Sequence, residues 1–290
     1  MCIRDRHYNS PACWAPGTDP ADVEEFYRNF PSILAGSSLD PNLAIGDGRF
    51  VNQANERWMN PVSGPSPDQG DCVTLTWSIP PDGSEVITGD PFLAPSVFVS
   101  QMDAIFGCTS SADLTQSCWF PFLQEIFDTW EEKSGVDYVY EPNDDGAAFT
   151  QPGGFIPGPL GQLGVRGDVR IFAMSLAPFG GPLGINFFPP SGGDMLLDLV
   201  DFFFLWTGPG GQDLLANTIA HELGHGLGLR HVCPLSETKL MEPILSGAFN
   251  GPQPDDFLSV QRQYGDKFCD NDVTSGADVP NVHGLSLIHI

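Results

Sequence analysis

The arrangement of apolar and polar residues along the 290-residue chain predicts a mixture of short strands and helices. Residues 72–80 alternate in the manner of a strand. Residues 118–133 instead carry an apolar stripe at helical spacing, formed by Phe122, Ile126, Phe127 and Trp130. Further strands are expected at residues 136–140, 167–172 and 184–190, and further helices at 19–30, 95–106 and 254–265.

The segment from His221 to His231 carries the most specific chemical pattern of the chain. His221 and His225 are four residues apart, so on a helix they lie one turn apart and can direct nitrogens to the same ion. Glu222 is rotated by about 100° around such a helix, which suits it to hold a water rather than bind the metal. Gly228 can adopt the left-handed conformation that brings His231 in as a third ligand. Three protein ligands leave one position open, as in a catalytic zinc site.

The length of this pattern makes it more specific than a bare pair of histidines. It fixes five positions over eleven residues and uses three of the six histidines in the chain. The alternative is a helix in which these residues coincide by chance. The remaining histidines, His7, His283 and His289, lie near the chain ends and are assigned no role.

The sequence Leu240-Met241-Glu242-Pro243 follows the histidine pattern, and with it the chain resembles the metzincin zinc metallopeptidases. In that family a tight Met-turn places a methionine beneath the three histidines, and Met241 is the matching residue. Pro243 is similar to the matrixin subfamily, whereas astacin-like and serralysin-like members have a tyrosine there. Val232, directly after the third histidine, departs from the residue usual in matrixins.

The resemblance implies an α+β fold of the metzincin (zincin-like) type, with a twisted five-stranded mixed sheet, an active-site helix and a small C-terminal subdomain. It also implies a secreted zinc endopeptidase in which Glu222 acts as general base. The run 184–190 resembles the edge strand that binds an extended substrate through its main chain, although a buried apolar strand is the alternative. The residues expected to contact substrate are Ile185, Asn186, Phe187, Leu223 and Pro243.

Further metal sites of matrixins are matched only in part. Asn186 and Leu196 stand where the family offers histidines for a structural zinc, so no structural zinc is expected. Asp198 and Asp201 match acidic positions that hold Ca²⁺ in the family, and carboxylates are suitable ligands for it. Solvated acidic loop residues are the alternative.

Composition limits the range of partners. Twelve basic and 37 acidic residues give a net charge of −25, which disfavours binding to nucleic acid or to anionic lipid. No apolar run reaches the ~20 residues that cross a bilayer. The expected partner is therefore a polypeptide substrate, and a monomer is expected.

Cysteine usage indicates an oxidising compartment. When Cys2 is set aside as part of a non-native end, six cysteines remain and none has the spacing of a zinc ribbon. Cys108–Cys118 and Cys233–Cys269 are the preferred disulfides among fifteen pairings, and free buried thiols are the alternative.

The chain divides into four expected regions. Residues 1–10 and the last six residues resemble translated adapter sequence and are excluded from fold reasoning. Residues 11–70 would be an N-terminal extension or propeptide remnant, 71–268 the catalytic domain, and 269–290 a linker or the start of a further domain. The Pro-Arg-Cys-Gly pattern of matrixin propeptides is absent and Cys13 lies in another context, so latency by that route has no support.

Two other functions remain open at this point. A catalytically inactive metzincin-fold module for binding or adhesion is one alternative, although the three histidines and Glu222 are all retained. A zinc hydrolase that acts on bonds other than peptide bonds is the other.

Overall fold

The computed structural model describes residues 12–16, 18–19, 21–22, 51–52, 56–65, 68–86, 94–152, 156–176, 182–199, 210–232 and 238–269. Within these ranges the chain forms an α+β fold, with a six-stranded mixed sheet, two short two-stranded sheets and four α-helices. The predicted helix over residues 19–30 lies almost entirely outside the described residues.

The predicted elements of the central region are present, with boundaries shifted by at most four residues. The helices are α1 (Phe98–Phe106), α2 (Phe120–Glu131), α3 (Gly211–Gly226) and α4 (Pro254–Tyr264). The six strands of the main sheet are β1 (Ala12–Trp14), β3 (Val73–Ser78), β4 (Val136–Tyr140), β7 (Val169–Ala173), β8 (Pro182–Asn186) and β9 (Met195–Leu197). The short sheets pair β2 (Val51–Asn52) with β10 (Leu229–Arg230) and β5 (Thr150–Gln151) with β6 (Ile156–Pro157).

The main sheet has the strand order β1-β8-β9-β7-β3-β4. Strands β9, β7, β3 and β4 are mutually parallel, whereas β8 is antiparallel to both β9 and β1. The expected number of five strands is therefore wrong for the described residues, because β1 adds a sixth. As a result β8 lies between two strands rather than at the edge of the sheet.

The hydrophobic core lies between the sheet and the helices. Trp77 of β3 is fully buried and stacks on Phe127 of α2, with a ring-centroid distance of 4.3 Å. Trp130, from the same apolar stripe of α2, donates a hydrogen bond to the carbonyl oxygen of Ala220 in α3. The core thus holds α3 at a fixed position above the sheet.

Parts of the expected N-terminal extension also pack into this core. Trp58 is 5% exposed, and its indole N–H donates to the carbonyl oxygen of Gly226 over 2.8 Å. The Asp168 carboxylate, which accepts from the N–H of Thr76 in β3, also accepts from the N–H of Val62. Residues 56–65 are therefore held against both α3 and the sheet.

Two disulfides occur among the described residues. Cys108–Cys118 closes the short loop between α1 and α2, as predicted. The predicted Cys233–Cys269 pair is wrong, because Cys269 is bonded to Cys72 and joins the end of α4 to the start of β3. Cys233 lies outside the described residues. Among the helices of the described ranges, each is too short or too polar to cross a lipid bilayer.

Candidate metal centre

Helix α3 and the two strand residues that follow it place the three predicted histidines together. The Nε2 atoms of His221 and His225 are 3.1 Å apart. The Nε2 atom of His231 is 3.1 Å from that of His221 and 3.2 Å from that of His225. All three side chains are fully buried. The predicted convergence of three imidazole nitrogens is therefore present in the fold.

Hydrogen bonds at the opposite ring nitrogens determine which atoms face the centre. Nδ1 of His221 lies 2.6 Å from the carbonyl oxygen of Leu240, and Nδ1 of His225 lies 2.7 Å from that of Leu229. A carbonyl can only accept, so each Nδ1 carries the proton and each Nε2 presents a lone pair. The lone pairs of these two rings thus face one point, with the Nε2 atom of His231 beside them.

The dimensions of this triangle fit a divalent cation with tetrahedral preference. Ligand distances of about 2.0–2.1 Å around zinc correspond to a nitrogen–nitrogen separation of about 3.3 Å. The observed separations of 3.1–3.2 Å are close to this value. Burial lowers the pKa of His221 to about 4, and burial and the neighbouring rings lower the pKa of His225 well below its usual value. Neutral imidazoles are the form that binds metals.

The turn after α3 brings His231 back to the centre, as the sequence predicts. Gly228 has a φ of +91°, in the left-handed region, and a Cβ at this position would lie 1.8 Å from the carbonyl oxygen of Glu56. The Arg230 guanidinium then forms a buried ion pair with the carboxylate of Glu56. Only glycine permits this close approach, and the ion pair fixes the strand residue directly before His231.

Met241 lies against α3 next to Gly224. A Cβ built on Gly224 would lie 2.4 Å from Sδ of Met241, so the sulfur packs against the helix backbone between His221 and His225. The turn at residues 240–243 is held by α4, because the Asp256 carboxylate accepts from the N–H of Leu240 over 3.2 Å. Since the Leu240 carbonyl orients His221, α4 supports the metal centre through two successive hydrogen bonds.

Glu222 lies beside the triad and away from its centre. Its side chain is fully buried, and the thiol of Cys13 in β1 is placed to donate a hydrogen bond to its carboxylate. It packs against β8, where a Cβ on Gly184 would lie 2.8 Å from Oε1. Burial raises the pKa of Glu222 well above its usual value. A divalent cation at the triad would act in the opposite direction and favour the carboxylate.

One ligand-type side chain near the triad was not predicted. Sγ of Cys13, an oxygen of Glu222 and a ring nitrogen of His221 all lie within 4.8 Å of one another. Cys13 is a free, fully buried cysteine in β1. Burial raises the pKa of its thiol, and the negative charge of Glu222 raises it further. In the sequence, Cys13 is separated from the histidine motif by more than two hundred residues and has no recognisable pattern around it.

The residues expected to bind substrate surround the centre but are mostly covered. Ile185 and Asn186 belong to β8, Phe187 follows it, and Leu223 lies in α3; all four are buried. Pro243 is partly buried, and its carbonyl oxygen accepts from the N–H of Trp14 in β1. The main-chain groups of β8 and Pro243, which were expected to bind substrate, therefore lie next to β1 of the same chain.

The two expected calcium ligands are only partly described. Asp198 is fully buried, and its carboxylate accepts from the N–H of Leu176 over 3.0 Å. Asp201 lies outside the described residues, so a Ca²⁺ site remains a prediction. The Asn186 amide donates to the carbonyl oxygen of Phe187, and Leu196 is buried in the core.

Sequence comparison adds no identification. No protein-family model matches the chain, and no curated protein matches it significantly. The geometry establishes a buried triad of histidines that could bind a metal ion.

We expect Gly224→Ala to lower the free energy of unfolding by about 1–3 kcal/mol, because the added methyl group collides with Met241. The clash therefore outweighs the stabilisation of about 1 kcal/mol that alanine in place of glycine brings to a helix. In a Met241→Ala background the same substitution should be neutral or stabilising, which a double-mutant cycle in denaturant would measure. Gly247→Ala, with no atom within 4 Å of the new Cβ, is the control. An equal loss in both backgrounds would contradict the proposed contact.

Asp256→Asn should change the pH dependence of stability. Burial raises the pKa of Asp256 to about 6 from 3.8, so its contribution to stability is present below about pH 4 and lost as pH rises through about 6. The amide oxygen can still accept from Leu240 and Gln253, which both donate to the same atom. In metal-free protein, the stability of the parent relative to the variant should fall by about 3 kcal/mol across this range. Urea unfolding of both proteins at several pH values measures this difference in the free energy of unfolding. A difference that does not change with pH would contradict the prediction.

Proposed function

We propose that the protein is a secreted zinc-dependent endopeptidase. The observation that carries this proposal is the convergence of three buried imidazole nitrogens beside one buried carboxylate, that of Glu222. Three protein ligands match the number found in catalytic zinc sites, whereas structural sites use four. The two disulfides are consistent with an oxidising compartment.

Glu222 would perform the proton transfers of the reaction. A zinc ion bound by the triad would supply a Lewis acid that polarises the scissile carbonyl and activates water. Glu222, held beside the triad by the turn of α3, would accept a proton from the attacking water and later deliver it to the leaving nitrogen. The fixed Nδ1 hydrogen bonds of His221 and His225 would keep the ligand nitrogens directed to one point during this cycle.

Two segments whose main-chain groups pair with an extended chain favour a polypeptide as substrate. On one side of the centre lies β8, and on the other lies the chain from Pro243 to Leu245 after the Met-turn. Both of these walls bind an extended main chain in the present structure, namely residues 12–14. Strand addition of this type recognises the peptide backbone irrespective of side chains.

The retained Glu222 argues against the alternative of an inactive binding module. A module that only binds a partner has no use for a fully buried carboxyl group at this position, which is costly to keep in the interior. The free-energy cost of burying Glu222 is explained if its carboxyl group is required for proton transfer.

The first test is Glu222→Gln. This variant should retain one bound metal ion per chain but lose about 10²–10⁴-fold in the rate of casein or peptide hydrolysis, because the amide cannot accept the proton. Glu125→Gln on the exposed face of α2 is the matched control and should be unaffected. Undiminished hydrolysis by Glu222→Gln would exclude the assigned role.

The second test is removal of a ligand. His225→Ala should reduce bound zinc from one ion per chain to substoichiometric levels, since two imidazoles remain of three. Metal content after dialysis against a weak chelator, measured by atomic emission, provides the readout, and His283→Ala is the control. Full zinc occupancy in His225→Ala would mean that the ligand set is wrong.

A further inference from the structure

A cavity of about 580 Å³ lies at the far edge of the main sheet from β1. Its lining comes from the ends of β3 and β4, from α1 and from the loop between α1 and α2. Strand β4 is the edge strand here, and β3, β7 and β9 separate it from β8. With neighbouring strands about 4.8 Å apart, the cavity is separate from the proposed peptide-binding cleft.

One part of the lining is apolar and includes an aromatic ring in a fixed position. Ile79, Val99 and Leu114 contribute aliphatic side chains to the cavity. Tyr140, at the end of β4, packs against Trp77 of β3 with a ring-centroid distance of 4.6 Å. Because the Tyr140 side chain is only partly buried, its ring both joins the core and lines the cavity.

The rest of the lining is acidic. Asp82, Asp113 and Asp144 line the cavity, and no basic residue is found among the described residues that do so. The charge of Asp144 is balanced by a buried ion pair with Arg170. The Asp82 carboxylate caps the start of α1 by accepting from the N–H groups of Val99 and Ser100. Two carboxylates therefore face the cavity without a described cationic partner.

Asp113 is the carboxylate best placed to bind a ligand. Both hydrogen bonds that it accepts, from the N–H and the hydroxyl of Thr115, end on Oδ1, so Oδ2 can accept from another group. The side chain of Asp113 is exposed. Burial and then the negative charge of Asp113 raise the pKa of Tyr140 to about 12, which agrees with a negative potential at the ring.

The wall that carries Asp113 and Leu114 is held in a defined shape. Both residues lie in the loop that the Cys108–Cys118 disulfide closes. Within the same loop, the N–H and the hydroxyl of Ser110 donate to the Asp103 carboxylate of α1. A ligand would therefore meet a preorganised wall, which lowers the entropic cost of binding.

We propose that this cavity binds an arginine side chain of the polypeptide substrate. The guanidinium lies against the face of Tyr140 and donates to Oδ2 of Asp113, while the alkyl stem packs on Leu114 and Ile79. A planar guanidinium suits a site that combines an aromatic face with a carboxylate, and the acidic lining complements its charge. This inference rests on the proposed peptidase function and adds a substrate preference remote from the scissile bond.

Binding of a small probe tests the cavity without hydrolysis. The probe is N-acetylarginine methylamide, and its citrulline analogue has a similar shape without the charge. The full chain should bind the arginine probe more tightly than the citrulline analogue, with NMR shifts at the backbone amides of residues 112–114. Asp113→Asn and Tyr140→Leu should each weaken binding of the arginine probe by about two- to fivefold.

Asp137→Asn is the matched control for charge. It removes an exposed carboxylate from the same strand, β4, at a residue that does not line the cavity. Its affinity for the arginine probe should equal that of the parent. Equal losses in Asp113→Asn and Asp137→Asn would mean that the probe responds only to the net charge of −25, and this would overturn the proposal.

Hydrolysis shows whether the arginine comes from the substrate. The substrates are casein and casein whose arginines have been converted to citrulline. In the zinc-loaded parent, the KM for the converted casein should be higher by about two- to fivefold. In Asp113→Asn the two KM values should be nearly equal, because the group that distinguishes the substrates is lost, whereas Asp137→Asn should retain the difference.

The combined outcomes separate this inference from the peptidase function. Unchanged probe binding in Asp113→Asn and Tyr140→Leu, together with normal hydrolysis, would overturn the arginine site and leave the peptidase function intact. Weaker probe binding with an unchanged ratio of KM values would refute the substrate as the source of the arginine. Weaker probe binding with no hydrolysis by any protein would support recognition of the guanidinium and refute the peptidase function.

Discussion

The approach of three imidazole rings to one point inside the protein is the constraint that the rest of the site depends on. Their Nε2 atoms are 3.1–3.2 Å apart at full burial, so small shifts of any ring would change the distances among all three. The surrounding structure therefore has to fix the orientation of the rings, as expected of a preorganised metal site.

That surrounding structure comes from regions far apart in sequence. The Leu240 carbonyl orients His221, and Asp256 of α4 holds Leu240 in place. Glu56 fixes Arg230 next to His231, while Met241 fills the space that Gly224 leaves open. The region before β3 and the region after α3 therefore both support the centre. Because contacts from both regions hold the histidines in place, the geometry of the triad does not depend on residues 221–231 alone.

The sequence was most informative where a few local residues determine the geometry. Helical spacing of His221 and His225, together with the left-handed Gly228, was sufficient to predict the triad. It was least informative for β1, because three residues are too short to show periodicity and their pairing depends wholly on tertiary contacts. The partner of Cys269 was also unpredictable, since the approach of α4 to β3 follows from the packing of the whole sheet.

The link between Cys72 and Cys269 also has a mechanical consequence. Cys72 immediately precedes β3, and Cys269 lies beyond α4. Tension applied to the chain after Cys269 therefore has two covalent paths, the backbone to α4 and the sulfur bridge to the start of β3, a strand held on both sides by neighbours. The bridge takes part of the load that would otherwise fall on α4 alone and on the turn that α4 braces.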